Sequence, residues 1–397
     1  MTETTIPENY YSLQHFITDS PWDSFELINA VSQQINDCLP KRKLTGLHID
    51  ESGVRKKGKK SVGVGRQYCG NLGKVDNCQV AVYASLNNGD FAALVDARLY
   101  LPEDWTKNQK RCEEAGIPLE CQQFKTKPEI ALELIQHQVD KGIRFDYVGV
   151  DALYGADQKC TDKMDQKGWN FIGDIRSNQQ IYLEQPRIEI PERKGKAGRK
   201  PTKLKADIKP IAVEEYIKTL KKKDWTELKV RNTAKGTLKG KYHFCTVYIW
   251  DGESHQASKR LLIIRKTGKK KVEIKYSLSN VNLVQYDLKA VAYMQAQRFF
   301  IEHTFKEAKS VLGIHQFQTR KWLSWYHQIA LNLLLLSFIL KEKLLNFLEI
   351  PLLSAWDIQD VLVIMLFVFI RPEGMIACIR RRHKYRQSDI NRYYSMC

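Results

Sequence analysis

The chain has 397 residues, 43% of them apolar, and carries 63 Lys and Arg against 45 Asp and Glu, a formal net charge of +18 at pH 7. That length and apolar content exclude a disordered chain and indicate one large or two ordinary folded domains. The charge points to a polyanionic partner, nucleic acid or an anionic membrane surface, and its spread along the chain fits a long contact track.

Two apolar runs, Ile329 to Leu340 and Val361 to Ile370, are too short to span a bilayer and read as buried core helices, so no membrane partner is expected. The N-terminal MTETTIPENYYSLQ is polar and acidic, without a signal-peptide pattern. The 9 cysteines form no CxxC pair and their number is odd, which argues against zinc and a full disulfide framework and for a reducing cytoplasm.

Residues 1–43 read as helical, with Ser20 or Asp23 as N-caps for an amphipathic run ending at Pro40. LTGLHIDESG is a short apolar strand with Asp50 at its end. Beyond it the alternation broken by Asn-Asn-Gly predicts a hairpin with strands near Asn77–Leu86 and Phe91–Tyr100. Gly63 and Gly65 precede no helix, so a phosphate-binding loop is excluded. An amphipathic helix follows over Lys127–Lys141, then a buried parallel strand, Tyr147–Val150, with Asp151 at its edge. A helix over Ala156–Gly168 and a strand over Trp169–Ile175 continue the order, which is that of a ribonuclease-H-like α/β sheet.

Residues 185–287 change character: ERKGKAGRKPTKLKADIK is a basic linker, followed by strand-like TELKVRNT, YHFCTVYIW, RLLIIRKT and VEIKYSLSN, a β-rich insertion. Within the linker, Arg199 and Lys200 resemble a minor-groove hook, although a solvated linker explains them as well or better. Residues 288–345 return to helix and complete the core begun at 44–184; residues 346–397 form a helical end with a basic, aromatic-laced tail.

In AQRFFIEHTFKEAKSVLG, helical spacing of about 100° per residue puts Glu302 roughly 40° and Lys309 roughly 20° round from Arg298, while Glu307 points about 180° away. One carboxylate flanked by two cations on a helix face suits joint handling of a metal ion and a phosphodiester; i,i+4 pairing on a solvated face is the ordinary alternative. Asp50 and Asp151, each at a strand end, could converge with Glu302 to hold two Mg²⁺ (or Mn²⁺) ions, which favour carboxylate, water and phosphate oxygens. Ordinary readings are a turn aspartate for Asp50 and a helix N-cap for Asp151. Glu51 alternates to the other strand face and is left out. His48, His303 and His327 read as core or surface histidines.

These residues resemble the DDE-type insertion-sequence transposases, in the branch whose third motif is Y-(2)-R-(3)-E-(6)-K, on which Arg298, Glu302 and Lys309 fall. HFITDSPWD, LHIDESGVRKKGKKSVGVGRQYCGNLGKVDNCQVAV, ARLYLPEDW, DYVGVDALYG and RFFIEHTFKEAKSVLGIHQFQTRKWLSWYHQIAL extend the likeness over residues 13–340. The resemblance implies Asp50, Asp151 and Glu302 as the metal-binding catalytic triad, and Arg298 and Lys309 as contacts to DNA phosphates. Gln295 stands where the motif has Tyr. The HFITDSPWD-like segment begins where the family usually has already placed an end-binding helical region, so a shortened DNA-binding region or a misplaced start is expected.

The reading that follows is a transposase acting on double-stranded DNA, both transposon ends and target, in a bacterial cytoplasm near the nucleoid, with end synapsis demanding at least a dimer on DNA. A truncated DNA-binding relative and a structure-selective nuclease of the same fold are the alternatives. Arg55, Lys56, Lys57, Lys59 and Lys60 are candidates to line the DNA path. Trp322 and Trp325 could stack on an unpaired base, although anchoring the last helices to the core is the plainer role.

Overall fold

A computed structural model describes residues 10–40, 43–192, 200–233, 236–268, 272–316, 318–350 and 352–367; Arg199 and the basic C-terminal tail lie outside them. Strand β1 (Thr45–Arg55) pairs antiparallel along its whole length with β3 (Lys74–Asn88). The short β2 (Gly65–Cys69) and the longer β4 (Phe91–Leu99) take successive stretches of the opposite edge of β3. On the other side of β1 lie β5 (Tyr147–Val150) and β6 (Phe171–Ile175), both parallel to it. The order β4-β3-β1-β5-β6 is that of a ribonuclease-H-like sheet.

The predicted insertion strands do form, and they extend this same sheet. Two small ribbons come first: β7 (Gln180–Ile181) with β10 (Ile211–Ala212), and β8 (Ile188–Glu189) with β9 (Lys205–Ala206). Then β11 (Thr226–Thr233), β12 (Gly236–Ile249), β13 (Ser258–Thr267) and β14 (Glu273–Ser279) meander antiparallel until β14 hydrogen-bonds to β6. The result is one 10-stranded mixed sheet.

Local chemistry sets the helices around it. Asp23 caps the helix Ser24–Cys38 through the amides of Phe25 and Glu26. Thr126 and Glu129 close a reciprocal capping box on Lys127–Asp140, with proline in the first turn. Helix Trp322–Leu345 buries Trp325, Ile329, Leu333, Leu336 and Leu340, at helical spacing, in the main core with β4 and the helix Ser24–Cys38. At ~1.5–3 kcal/mol per fully buried large side chain, this stripe is enough to hold the helix on the sheet. By length and composition this 24-residue helix could cross a membrane, which corrects the expectation from the shorter apolar run; 67% of its apolar window is nevertheless buried within the fold.

Two close backbone approaches demand glycine. A Cβ on Gly149 would lie 2.2 Å from Nδ1 of His48, its cross-strand partner, so the imidazole occupies space that a side chain would fill. A Cβ on Gly155 would lie 2.3 Å from the carbonyl oxygen of Asp174, and Gly173 meets Gly155 equally tightly. The short helix Ala152–Gly155 is thereby seated directly on β6, just after Asp151.

Candidate active site

The parallel ladder between β1 and β5 ends at the pair Ile49–Val150. Asp50 and Asp151 are the next residues of the two strands, so their carboxylates emerge side by side where β5 stops. Asp50 is not at the end of its strand, as the sequence suggested: β1 runs on to Arg55 against β3, which removes the turn-aspartate reading. Asp151 does act as an N-cap, accepting the amide of Leu153 at 2.9 Å, and the same carboxylate still faces the cluster.

Burial and the neighbouring Asp151 push the Asp50 carboxyl up to about 7, against the opposing pull of Arg298. Burial and Glu51 also raise Asp151. For both groups burial is the first cause and the charge of a neighbouring carboxylate the second. The donors are all carboxylate oxygens, which suit a hard divalent cation, and the fit is supported by the convergence of Asp50, Glu51 and Asp151, whose ligand atoms lie within 4.8 Å of one another.

Strand alternation set Glu51 aside, and the structure places it both on the other face and within reach of the acidic group. Its side chain is on the far side, where it accepts from Lys127 Nζ at 3.1 Å and Tyr154 Oη at 2.8 Å. With β5 ended, however, the β1 edge is open and the Glu51 carboxylate reaches the same corner.

Glu302 arrives from the helix Phe299–Ser310, which packs over β1, β3 and β4 with Phe305 edge-on to Tyr83 at 5.3 Å. Tyr83 is the cross-strand partner of Asp50, so this helix covers the Asp50 side of the sheet. Gly313, with φ 65, turns the chain so that the Ile314 amide returns to the Ala308 carbonyl. The helix is broken from its predecessor, Leu288–Gln297, at Arg298. Glu302 is outside the tight acidic group and is joined to it by Arg298, whose guanidinium bonds Glu302 Oε1 at 2.9 Å and Asp50 Oδ2 at 3.4 Å. Asp174 Oδ2 takes the third side of the guanidinium at 2.8 Å. Glu307 points away, buried, and accepts from Lys343 Nζ at 2.5 Å.

Lys309 donates to Asn71 at 2.8 Å and, with Asp50, Glu302, Phe305 and Lys306, lines a cleft of about 670 Å³. A larger cavity of about 800 Å³ lies at the opposite end of β1, near Thr45 and Tyr293, away from these carboxylates.

The basic segment after β1 is held by its own carbonyls. Asn77 donates to the carbonyls of Lys56 and Gly58, Arg111 to that of Lys59, and Trp105 to that of Val64, with the Arg111 guanidinium 3.7 Å above the Trp105 ring. Lys57, Lys59 and Lys60 are exposed on it, and Arg55 is exposed beside Asp76 at 3.2 Å. Lys200 is exposed too.

Two candidate DNA contacts, Lys56 and the tryptophan pair, are corrected. Lys56 is 5% exposed, because it shares the inward strand face with Ser52 and Val54, beside Trp325 and Ile329, and burial lowers its ammonium pKa. Trp322 and Trp325 are 7% and 3% exposed and belong to the main core, so neither offers a ring for a base to stack on. Among the histidines, His48 is fully buried and pushed down to about 3 by burial, hence neutral. His327 stacks on Trp22 and bonds backbone carbonyls.

Asp174 and Asn71 were not anticipated. A lone acid inside the apolar FIGDI strand was the available signal for Asp174; Asn71 had none.

A sheet of this order, with acids at the end of the β1–β5 ladder beside a cleft that carries both carboxylates and lysines, defines a ribonuclease-H-like fold with an acidic site. Residues 1–237 match the family described as DDE superfamily endonuclease, more than half of the chain, and the chain belongs to that family. The matched stretch holds Asp50 and Asp151. A protein of Microchaete diplosiphon named "Probable transposase for insertion sequence element IS701" is 38% identical over 177 residues. That alignment covers 44% of this chain and 43% of the relative, so less than half the length of either is spanned.

Proposed function

We propose that the chain is an insertion-sequence transposase of the Y-R-E-K branch that cleaves DNA at element ends and joins the freed 3′-OH to a target. The observation that supports this is the side-by-side emergence of Asp50 and Asp151 at the end of the parallel ladder, with Asp50 also lining a cleft shared with Glu302 and Lys309. Asp50, Asp151 and Glu302 would hold two Mg²⁺ or Mn²⁺ ions, which when bound activate the attacking oxygen and stabilise the leaving one. Glu51, already compensated by Lys127, tunes the charge of the cluster.

The protein's own groups supply the rest. Lys309, at the cleft wall, neutralises a backbone phosphate near the cut. Lys57, Lys59 and Lys60, on their carbonyl-clamped loop, and Arg55 extend the track along double-stranded DNA. In this reading residues 44–184 and 288–345 form the catalytic core, 185–287 the linker and insertion, and 1–43 and 346–397 the flanking helical regions, in a cytoplasmic, nucleoid-associated protein.

The test is cleavage of a supercoiled plasmid carrying the element ends, with Mg²⁺ or Mn²⁺. Cutting by wild type and Glu307→Gln, silence from a Glu302→Gln variant that still binds DNA, and joined products are expected. Cutting without joining would favour a nuclease. DNA binding without cutting by folded wild type would leave a DNA-binding relative and sink the proposal.

A further inference from the structure

Arg298 bonds Asp50 and Glu302 from a position that is itself fixed by a directional chain. Its Nε donates to Asp174 Oδ2 at 2.8 Å. Asp174 Oδ1 accepts from Ser277 Oγ at 2.8 Å, and Ser277 Oγ accepts from Gln295 Nε2 at 2.9 Å. Ser277 is fully buried and Gln295 is 5% exposed. Asp174 on β6 and Ser277 on β14 are direct register partners, so the insertion strands reach the site through one hydroxyl. Gln295, at the position of the family's Tyr, is the far end of the chain.

A guanidinium is planar, and a carboxylate on Nε constrains where its two η nitrogens can point. Here they point at Asp50 Oδ2 and Glu302 Oε1. A divalent cation held by Asp50 and Glu302 would call on those same oxygens, so cation and guanidinium compete. Without a second anchor, the arginine has only two outcomes, to block the carboxylates or to be driven off by the incoming charge.

We propose that Asp174 is a positioning residue for Arg298. It retains the guanidinium by Nε beside the acidic cluster while the η nitrogens release Asp50 and Glu302 to a divalent cation and become available to a phosphate. This rests on the reading of Asp50 and Glu302 as cation ligands.

The experiment is Mn²⁺ binding to the full chain, followed by the electron paramagnetic resonance signal of free Mn²⁺. Wild type, Asp174→Asn, Arg298→Gln, the double variant and Asp50→Asn are compared. Arg298→Gln should bind Mn²⁺ more tightly, since a competing cation is gone. Asp174→Asn should bind about tenfold more weakly, because an unanchored guanidinium settles on Asp50 and Glu302; in the Arg298→Gln background the same change should cost no more than about twofold. Equal losses in both backgrounds would mean that Asp174 acts on the cation without Arg298, and no loss in either would mean that it does not act; each overturns the proposal. If Asp174→Asn fails to fold, Ser277→Ala, which removes one bond to Asp174, should shift Mn²⁺ affinity in the same direction and again only when Arg298 is present. Asp50→Asn separates the two levels. If it leaves Mn²⁺ binding intact, the ligand reading has failed; if it abolishes binding while the Asp174 and Arg298 effects are independent, only the positioning role has failed.

Discussion

Replacing Asp50 by asparagine should stabilise the fold above neutral pH and leave it unchanged in acid. Burial, then the charge of Asp151, raises the carboxyl from 3.8 to about 7. A carboxyl with a folded pKa above its unfolded value binds its proton more tightly when folded. Its contribution is therefore full below the unfolded pKa, declines between 3.8 and about 7, and is lost above that window. At about 1.4 kcal/mol per pH unit the loss is on the order of 4 kcal/mol, an upper figure because Asp50 and Asp151 titrate together. Asparagine keeps the shape without the charge and escapes the loss. With an unfolding entropy of about 0.8 kcal/mol/K for a chain of this size, Tm should rise by up to about 5 °C at pH 8. Scanning calorimetry at pH 4, 6 and 8 with a chelator present measures it. Added Mn²⁺ at a hundredfold over its Kd should then stabilise wild type by about 2.7 kcal/mol and the variant far less. An Asp50→Asn protein that melts below wild type at pH 8 in chelator would refute the charge-crowding argument.

Glu307→Gln should leave Mn²⁺ binding unchanged while costing about 3 kcal/mol in a urea melt, because the Lys343 ammonium, 20% exposed, loses its partner. Trp325→Ala should cost about 3–5 kcal/mol in the same melt, and the protein that remains folded should keep its affinity for single-stranded DNA, as expected of a core residue. Replacing Lys57, Lys59 and Lys60 by alanine should flatten the dependence of log K on log salt by up to about 2.7, at 0.9 per phosphate contact, measured by fluorescence anisotropy on duplex DNA. Lys56→Ala should leave that slope unaltered and lower Tm instead.

What could be read from the chain was local. Alternation around Asn-Asn-Gly placed β3 and β4, the apolar run Tyr147–Val150 placed β5, and the helical period separated Glu302 from Glu307, which indeed face different partners. What escaped was long-range pairing. Nothing near Asp174 announces that β6 will meet β14, some hundred residues later, and so nothing announces the bond from Asp174 to Arg298. Alternation placed Glu51 on the other face, as found, but could not show that β5 ends opposite Ile49 and leaves Glu51 within reach of Asp50 and Asp151. Lys56 was judged by residue type, when the inward phase of β1 decides its surroundings, whereas the tryptophans took the plainer of their two roles in the buried stripe of Trp322–Leu345.

The most direct measurement is the anomalous scattering of Mn²⁺ in crystals of the full chain. Peaks bounded by Asp50 and Asp151, with Glu302 turned from Arg298 onto the ion, are expected. Mn²⁺ held by Asp50, Glu51 and Asp151 with Glu302 still on Arg298, or no peak at this corner of the sheet, would contradict the assignment of Glu302 as the third ligand or of the site as a metal centre.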